Sequence, residues 1–279
     1  MIIAIFAPHH HPEGALLFQK VVHFFQKHHV TVVTDEDHAK KFHLPSVASV
    51  DPSHIAFLIS MGGDGSILKL AHDYHTWSLP ILGINLGHLG FMADVPLDDL
   101  LPSLEDLLKG SYTIENRLVL EGSSKNQEKS FAINDFVIHR AQNPSLVKLS
   151  IYLDDLYLNT FEADGLVIAT PNGSTAYSLA AGGPILSPGL DGIVLTPICP
   201  HTISNRPIVL TSSHTLTVEY LSDYQPVEVI ADGLKTFSLK KGDLFSFKKS
   251  DKVFKLVNLT RRDYFTTLRT KLGWSGKLR

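Results

Sequence analysis

Five consecutive apolar residues, Ile55-Ala56-Phe57-Leu58-Ile59, run directly into the turn Ser60-Met61-Gly62-Gly63-Asp64-Gly65-Ser66. An apolar run without alternation fits a strand covered on both faces, which calls for a parallel sheet flanked by helices. Glycines at the end of such a strand permit positive φ and let a ligand approach the backbone closely. The carboxyl ends of parallel strands are also where open α/β sheets bind their ligands. A helix that starts at such a turn presents backbone N–H groups to an anion, usually a phosphate. A second turn of this kind is Thr170-Pro171-Asn172-Gly173-Ser174-Thr175-Ala176-Tyr177-Ser178-Leu179-Ala180-Ala181-Gly182-Gly183-Pro184. Two such turns point to a chain that handles phosphorylated nucleotides on two surfaces.

The rest of the chain has two textures. Strand patterns at 2–7, 30–33, 55–60 and 80–85 alternate with helix patterns at 12–28, 66–75 and 97–108. Pro12 and Glu13 suit a first helical turn, and Leu16, Leu17, Val21, Phe24 and Phe25 share one side of the helix that follows. Leu97, Leu100, Leu101, Leu104, Leu107 and Leu108 have helical spacing, closed by Gly110. After Gly110, short runs rich in Val, Ile, Leu, Phe and Tyr recur between turn residues, at 118–121, 131–138, 146–153, 166–169, 193–196, 208–210, 215–220, 227–231 and 244–248. The expected organisation is an α/β domain with a parallel sheet over 1–112 and a β-rich domain over 113–255. A tail over 256–279, helical at 263–271, is expected to return to the first domain.

Bulk properties remove several classes. With a net charge of −3, no global field draws the 279-residue chain to nucleic acid or anionic lipid, so local basic residues must handle any phosphate. The single cysteine, Cys199, excludes an intramolecular disulfide. The opening Met1-Ile2-Ile3-Ala4-Ile5-Phe6-Ala7 has no basic residue before it, and Pro8 follows at once, so it reads as a buried strand and not a signal peptide. No apolar run approaches the roughly 20 residues of a membrane span. A cytoplasmic location is expected.

Asp64 is out of place in a cradle built only for phosphate. A carboxylate beside a cation and N–H donors makes sense where a hydroxyl is deprotonated while a phosphate is held. Lys69 lies one turn into the following helix, and helical side chains tilt toward the N-terminus, so its amine can reach back over the turn. The bland alternative is a tight turn with Asp64 as a helix cap. In the second turn, Ser174 and Thr175 suit the cap of a short helix. Tyr177 offers an aromatic face and a hydroxyl to a base or ribose, against the alternative of a core tyrosine. Within Phe131-Ala132-Ile133-Asn134-Asp135-Phe136-Val137-Ile138, two adjacent polar residues interrupt an apolar strand. Asn134 offers a donor and an acceptor to an amide, and Asp135 can accept two ribose hydroxyls; an Asx turn between two short strands is the plainer reading. Asp164-Gly165 by itself suits a hairpin turn. His9-His10-His11 lacks zinc-like spacing and reads as a polar loop, with a weaker reading near donor phosphates. No metal ligand set is expected from the protein.

Gly62-Gly63-Asp64-Gly65-Ser66 resembles the motif shared by NAD kinases, diacylglycerol and sphingosine kinases, and 6-phosphofructokinases, all of which move a phosphoryl group to a hydroxyl. The second turn selects among them, because residues 170–185 resemble the long second signature of NAD kinases. The departures are Asn172, where the family usually has Thr, and Ala180, often Ser. Residues 55–235 carry the resemblance, and Ile84-Asn85-Leu86-Gly87-His88-Leu89-Gly90-Phe91-Met92 resembles the family segment that shapes the acceptor pocket floor.

The resemblance implies the two-domain NAD kinase fold, with the site in the cleft between the domains. It implies transfer of the γ-phosphoryl group of ATP to the 2′-hydroxyl of the adenosine ribose of NAD, giving NADP. Asp64 would be the general base, and Gly62, Gly63, Gly65 and Ser66 the phosphate-donor loop, with Mg²⁺ or another divalent cation bridging the donor. Dinucleotide contacts are implied for Asp64, Gly65, Lys69, Asn134, Asp135, Ser145, Glu162, Asp164, Thr175, Ala176, Tyr177, Ser178, Leu179 and Ala180. Asp232-Gly233 falls near a late family position, where Leu234 replaces the Gln of some members. Family members form homodimers or homotetramers with acceptor sites completed by a neighbouring subunit. The alternatives are a lipid kinase of the diacylglycerol or sphingosine type, which shares only the first motif, and a non-catalytic NAD sensor.

Overall fold

The computed structural model describes residues 1–8, 14–87, 89–202 and 204–274. The expected helix start at Pro12 and Glu13, the His9-His10-His11 run and His88 lie outside the described residues. The chain divides into two units, one of Met1–Asn116 with the segment from Lys255 onward, the other Arg117–Phe254.

In the first unit, strands β1 (Ile2–Phe6), β2 (Thr31–Val33), β3 (Ile55–Gly62) and β4 (Ile81–Asn85) pair in parallel in the order β2-β1-β3-β4. Leu256, near the end of a long later strand, continues the parallel pairing beside Ile81. Helix α1 (Gly14–Lys27) buries Phe18, Val21, Val22, Phe24 and Phe25 against Ile3, Ile5 and Ile59. Its apolar side faces the sheet, as parallel strands covered on both faces require. Helix α2 (Glu36–Phe42) is capped by Asp35, whose carboxylate accepts the N–H groups of Asp37 and His38. Helix α3 (Asp64–Asp73) leaves the first glycine turn. The leucine-rich stretch begins as a 3₁₀ turn, Leu97–Asp99, and continues as α4 (Leu100–Lys109), stopped by Gly110 at φ 76°.

The second unit is a sandwich of antiparallel strands. One sheet runs β12-β11-β10-β7-β14-β15, formed by β7 (Asp135–His139), β10 (Gly165–Ala169), β11 (Gly192–Ile198), β12 (Ile208–Thr211), β14 (Val227–Ala231) and β15 (Lys235–Leu239). Facing it, β13 (Leu216–Tyr220) pairs with β8 (Val147–Leu153) and with the start of β16 (Leu244–Leu259), and β8 pairs with β9 (Leu156–Ala163). Part of β5 (Tyr112–Ser124) pairs with β6 (Lys129–Ala132). Phe136, Ile138, Leu166 and Ile168 from the first sheet share one buried cluster with Leu149, Ile151, Val218, Phe245 and Phe247 from the second.

Strand β10 is buried at every position because its other face is covered too. Val167 and Ala169 pack with Val137, Val194 and Leu186. Leu186 lies just past the second glycine-rich turn, so that turn is anchored to the outer face of the sheet.

The run 131–138 is divided by a bend into β6 and β7. Asp164-Gly165 is not a hairpin: β9 pairs with β8, whereas β10 pairs with β7 and β11, so the chain changes sheets there. Gly165 is required because a Cβ would lie 2.1 Å from the Ile138 carbonyl oxygen. Helix α6 (Tyr264–Leu272) is capped by Asp263, after a short helix α5 (Tyr177–Ala180) in the second unit. No helix among the described residues is long and apolar enough to cross a membrane.

Candidate functional site

The first group gathers around α3. Gly62 has φ 154°, and a Cβ there would lie 2.2 Å from Ser66 Oγ, so only glycine suits the position. Gly63 is the N-cap, with no side-chain cap bond, and Asp64 opens the helix. The Asp64 carboxylate is turned onto the segment after β4. Its Oδ2 accepts the Phe91 N–H at 2.8 Å, and Oδ1 accepts those of Met92 and Ala93 at 3.0 and 2.8 Å. Asp64 is therefore not a cap for its own helix. Gly90 is held to glycine by the same carboxylate, since a Cβ would lie 2.1 Å from Oδ1.

Asn85 stiffens this segment by donating to the Ala93 carbonyl at 3.0 Å and accepting the Gly87 N–H at 2.7 Å. Gly65 is exposed, Ser66 is half-buried, and Lys69 is exposed on α3. Burial pushes the Asp94 carboxyl up to about 6; Arg262 opposes the shift, and the charges of Asp64 and Glu115 add to it.

The second group gathers at the bend between β6 and β7. Asp232, at φ 47°, accepts the N–H groups of Ile133, Asn134 and Asp135 at 2.7, 2.8 and 3.1 Å. Its own N–H donates to the Asp135 carbonyl. The two aspartates 64 and 232 thus do the same job, each gathering three consecutive amides. Asp135 is buried, and desolvation followed by the charge of Asp232 pushes its carboxyl up to about 7.

The second signature packs directly on this bend. A Cβ at Gly173 would lie 2.0 Å from the Asn134 carbonyl oxygen. Thr170 donates through its N–H to that oxygen and through Oγ1 to the Ile133 carbonyl. Asn172 donates from Nδ2 to Asn134 Oδ1 at 2.6 Å and accepts from Arg117 Nη1 at 3.2 Å.

Ser174 and Thr175 do not cap a helix. Ser174 Oγ is engaged with the Pro171 carbonyl and the Leu186 N–H, and Thr175 Oγ1 with the Asn172 carbonyl. A 3₁₀ turn, Gly173–Thr175, precedes α5, whose N-cap, Ala176, provides no side-chain cap bond. Tyr177 is 46 % exposed, which removes the core reading. Ser178 is fully buried and pairs with Thr196 at 2.8 Å. Ala176 and Leu179 are half-buried, and Ala180 is exposed.

Other expected contacts are more dispersed. Asp164 forms an ion pair with Arg140, Nε to Oδ1 at 3.1 Å. Ser145 is exposed in the loop before β8, and Glu162 is exposed on β9. Three features escaped the sequence reading: the clamp on Asp64 by Phe91, Met92 and Ala93, the bend-holding role of Asp232, and the Arg117–Asn172 link. The resemblance places Asp232-Gly233 near a late family position, but the amides that Asp232 holds lie about a hundred residues away in the chain.

Comparison with known proteins agrees with this two-unit design. The ATP-NAD kinase N-terminal domain matches residues 12–112, and the ATP-NAD kinase C-terminal domain matches residues 133–259. An NAD kinase of Protochlamydia amoebophila is 52 % identical over 278 residues, covering 100 % of both chains. One from Syntrophotalea carbinolica is 35 % identical over 284 residues, covering 98 % of each. A crystal structure of yeast NADH kinase complexed with NADH superposes with a TM-score of 0.86 at 28 % identity, covering 100 % of this chain and 89 % of the yeast one. An NAD kinase from Archaeoglobus fulgidus in complex with ATP shares the fold, with a TM-score of 0.76, 21 % identity, and coverage of 98 % and 99 %.

The fold and its two glycine-rich turns define a phosphotransferase of the two-domain kind, an α/β unit joined to a β-sandwich unit. The chain belongs to the ATP-NAD kinase family. These relatives support neither the lipid-kinase nor the sensor alternative.

Proposed function

We propose that this chain moves the γ-phosphoryl group of ATP to the 2′-hydroxyl of the adenosine ribose of NAD, giving NADP and ADP, with Asp64 as general base. The observation that carries the reading is the setting of Asp64. It is a half-buried carboxylate in the first turn of α3, beside the glycine-turn amides and held by Phe91, Met92 and Ala93. An ionised carboxylate has about four lone-pair sites. Those three amides occupy both sites of Oδ1 and one of Oδ2, which leaves a site on Oδ2 for a substrate hydroxyl.

In the proposed step the 2′-hydroxyl proton passes to Asp64 as the ribose oxygen attacks the γ-phosphorus and the bond to ADP breaks. A well-placed base contributes roughly 10²–10⁴-fold. The rest of the acceleration comes from alignment and from neutralising phosphate charge. Backbone N–H groups of Gly62, Gly63 and Gly65, with the Ser66 hydroxyl and Lys69, steady the phosphates; the Ser66 N–H itself donates to the Gly63 carbonyl at 3.0 Å. Asn134, Asp135, Asp164 and residues 175–180 hold the dinucleotide, with Tyr177 offering its exposed ring, and Ser145 and Glu162 at the margin. Among the described residues no cluster of three or more His, Cys, Asp or Glu is placed to hold a metal ion. In this reading a divalent cation, Mg²⁺, would accompany the donor triphosphate and offset its charge. The reading also carries a cytoplasmic location and a homodimer or homotetramer with acceptor sites near subunit interfaces.

The test is incubation with ATP, Mg²⁺ and NAD, with NADP followed by an NADP-specific dehydrogenase. Parallel arms use a lipid alcohol, NADH and polyphosphate. NADP formation supports the proposal. NAD binding without ATP consumption would favour the sensor, and phosphorylation of the lipid alone would favour the lipid kinase.

A further inference from the structure

Three side chains at the bend between β6 and β7 form a line with a fixed polarity. Arg117 is 4 % exposed, and its guanidinium can only donate. Its Nη1 lies 3.2 Å from Asn172, so the oxygen of Asn172 must face it. The Nδ2 group of Asn172 is then directed at Asn134, 2.6 Å away, and Asn134 must present its oxygen in return. An Asn side chain has one oxygen and one NH₂ group, so this assignment leaves Asn134 with its NH₂ donors for any ligand. The orientation follows from the chemistry of arginine and needs no choice between amide rotamers.

The backbone of Asn134 is also fixed. Asp232 accepts its N–H, Thr170 donates to its carbonyl, and Gly173 packs on that carbonyl. Neither main chain nor side chain is left to adjust when a ligand arrives.

We infer that Asn172, held by Arg117, is a positioning residue that makes Asn134 a hydrogen-bond donor toward an acceptor atom of the dinucleotide. This rests on the reading above that Asn134 contacts NAD, and it deepens that reading by naming the polarity of the contact. Asn172 is where this chain departs from the usual threonine of the second signature, and a threonine has no NH₂ group with which to link Arg117 to the Asn134 oxygen.

The decisive variant is Asn172→Asp. It is nearly isosteric, and one carboxylate oxygen still accepts from Arg117. The other now faces Asn134, which must turn its NH₂ group inward and offer its oxygen to the ligand. The inversion sets acceptor against acceptor, and the expected result is a roughly tenfold rise in the NAD dissociation constant. ATP affinity and kcat at saturating NAD are expected to stay close to wild type, a split that a general loss of packing would not produce. Asn134→Ala is measured beside it. If that variant leaves NAD affinity unchanged, Asn134 does not bind the dinucleotide and the underlying reading fails. If Asn134→Ala weakens NAD and a folded Asn172→Asp does not, the polarity inference alone is overturned.

Should Asn172→Asp not fold, ¹⁵N NMR of the wild-type chain gives the same decision. The Asn134 side-chain NH₂ pair, assigned by its absence in Asn134→Ala, is expected to shift on titration with NAD. No shift while NAD binds overturns the inference.

Discussion

Replacing Asp135 by asparagine should stabilise the protein at alkaline pH and do progressively less as the pH falls. Asp135 is 6 % exposed, and its carboxyl rises from 3.8 to about 7, first through burial and then through the charge of Asp232. An acid whose folded pKa lies above its unfolded value binds its proton more tightly in the native state. Its contribution to stability is complete below the unfolded pKa and is lost as the pH rises through the folded one. Each unit of difference corresponds to about 1.4 kcal/mol, so the loss approaches about 4 kcal/mol well above pH 7. Between pH 5 and pH 8 it amounts to about 3 kcal/mol.

The carboxamide of the Asp135→Asn variant does not titrate, so the stability difference between the two proteins isolates this one group. Carboxyls that do not interact with Asp135, including Asp94 at about 6, contribute equally to both and cancel. Urea unfolding of the ligand-free proteins at pH 5, 6.5 and 8 measures the difference directly. The variant should gain about 3 kcal/mol on wild type across that range, on top of any constant offset from altered hydrogen bonding. Parallel stability profiles would refute the reasoning, because they would mean that Asp135 is ionised in both states throughout.

Asp232→Ala removes the acceptor for three amides and the charge that helps to raise Asp135. Unfolding should show a loss of about 1–3 kcal/mol, and the Asp135-linked pH dependence should move to lower pH. In Gly173→Ala the new methyl meets the Asn134 carbonyl oxygen at 2.0 Å, so the bend must shift. Calorimetry should record a destabilisation of about 1–3 kcal/mol, with weaker NAD binding in the folded fraction. Ser178→Ala leaves the buried Thr196 hydroxyl without its partner, and a loss of about 1 kcal/mol is expected by the same method.

What the sequence made legible was what neighbouring residues decide. Buried parallel strands such as β3 are apolar at successive positions, and leucine spacing marks α4, so the α/β unit could be read directly. The shift to short runs after Gly110 marked the β-rich unit. Strands β9 and β15 were not read: β9 exposes Leu156 and Tyr157, so its apolar residues do not alternate with its burial, and β15 buries only Phe237 and Leu239, too few to show a period. Helix α2 is seven residues long, too short for a period to show, although Asp35 followed by Glu36 and Asp37 was an available start signal.

At the candidate site, the two turns, Asp64 and the Asn134-Asp135 pair announced themselves by residue type. Their supports did not, because each joins segments remote in the chain. Asp64 gathers amides 27–29 residues away, Asp232 gathers amides 97–99 away, and Asn172 lies 55 positions from Arg117. Ser174 and Thr175 looked like caps because hydroxyls at a helix start usually are, but the fold gave them the Pro171, Leu186 and Asn172 partners first.

The role of Asp64 is tested most directly by single-turnover phosphoryl transfer in Asp64→Asn, with NAD affinity measured on the same preparation. The account predicts transfer slowed roughly 10²–10⁴-fold with NAD affinity little changed. Transfer at close to the wild-type rate would mean that the ribose hydroxyl gives up its proton elsewhere, and Asp64 would be left only as the anchor of Phe91, Met92 and Ala93.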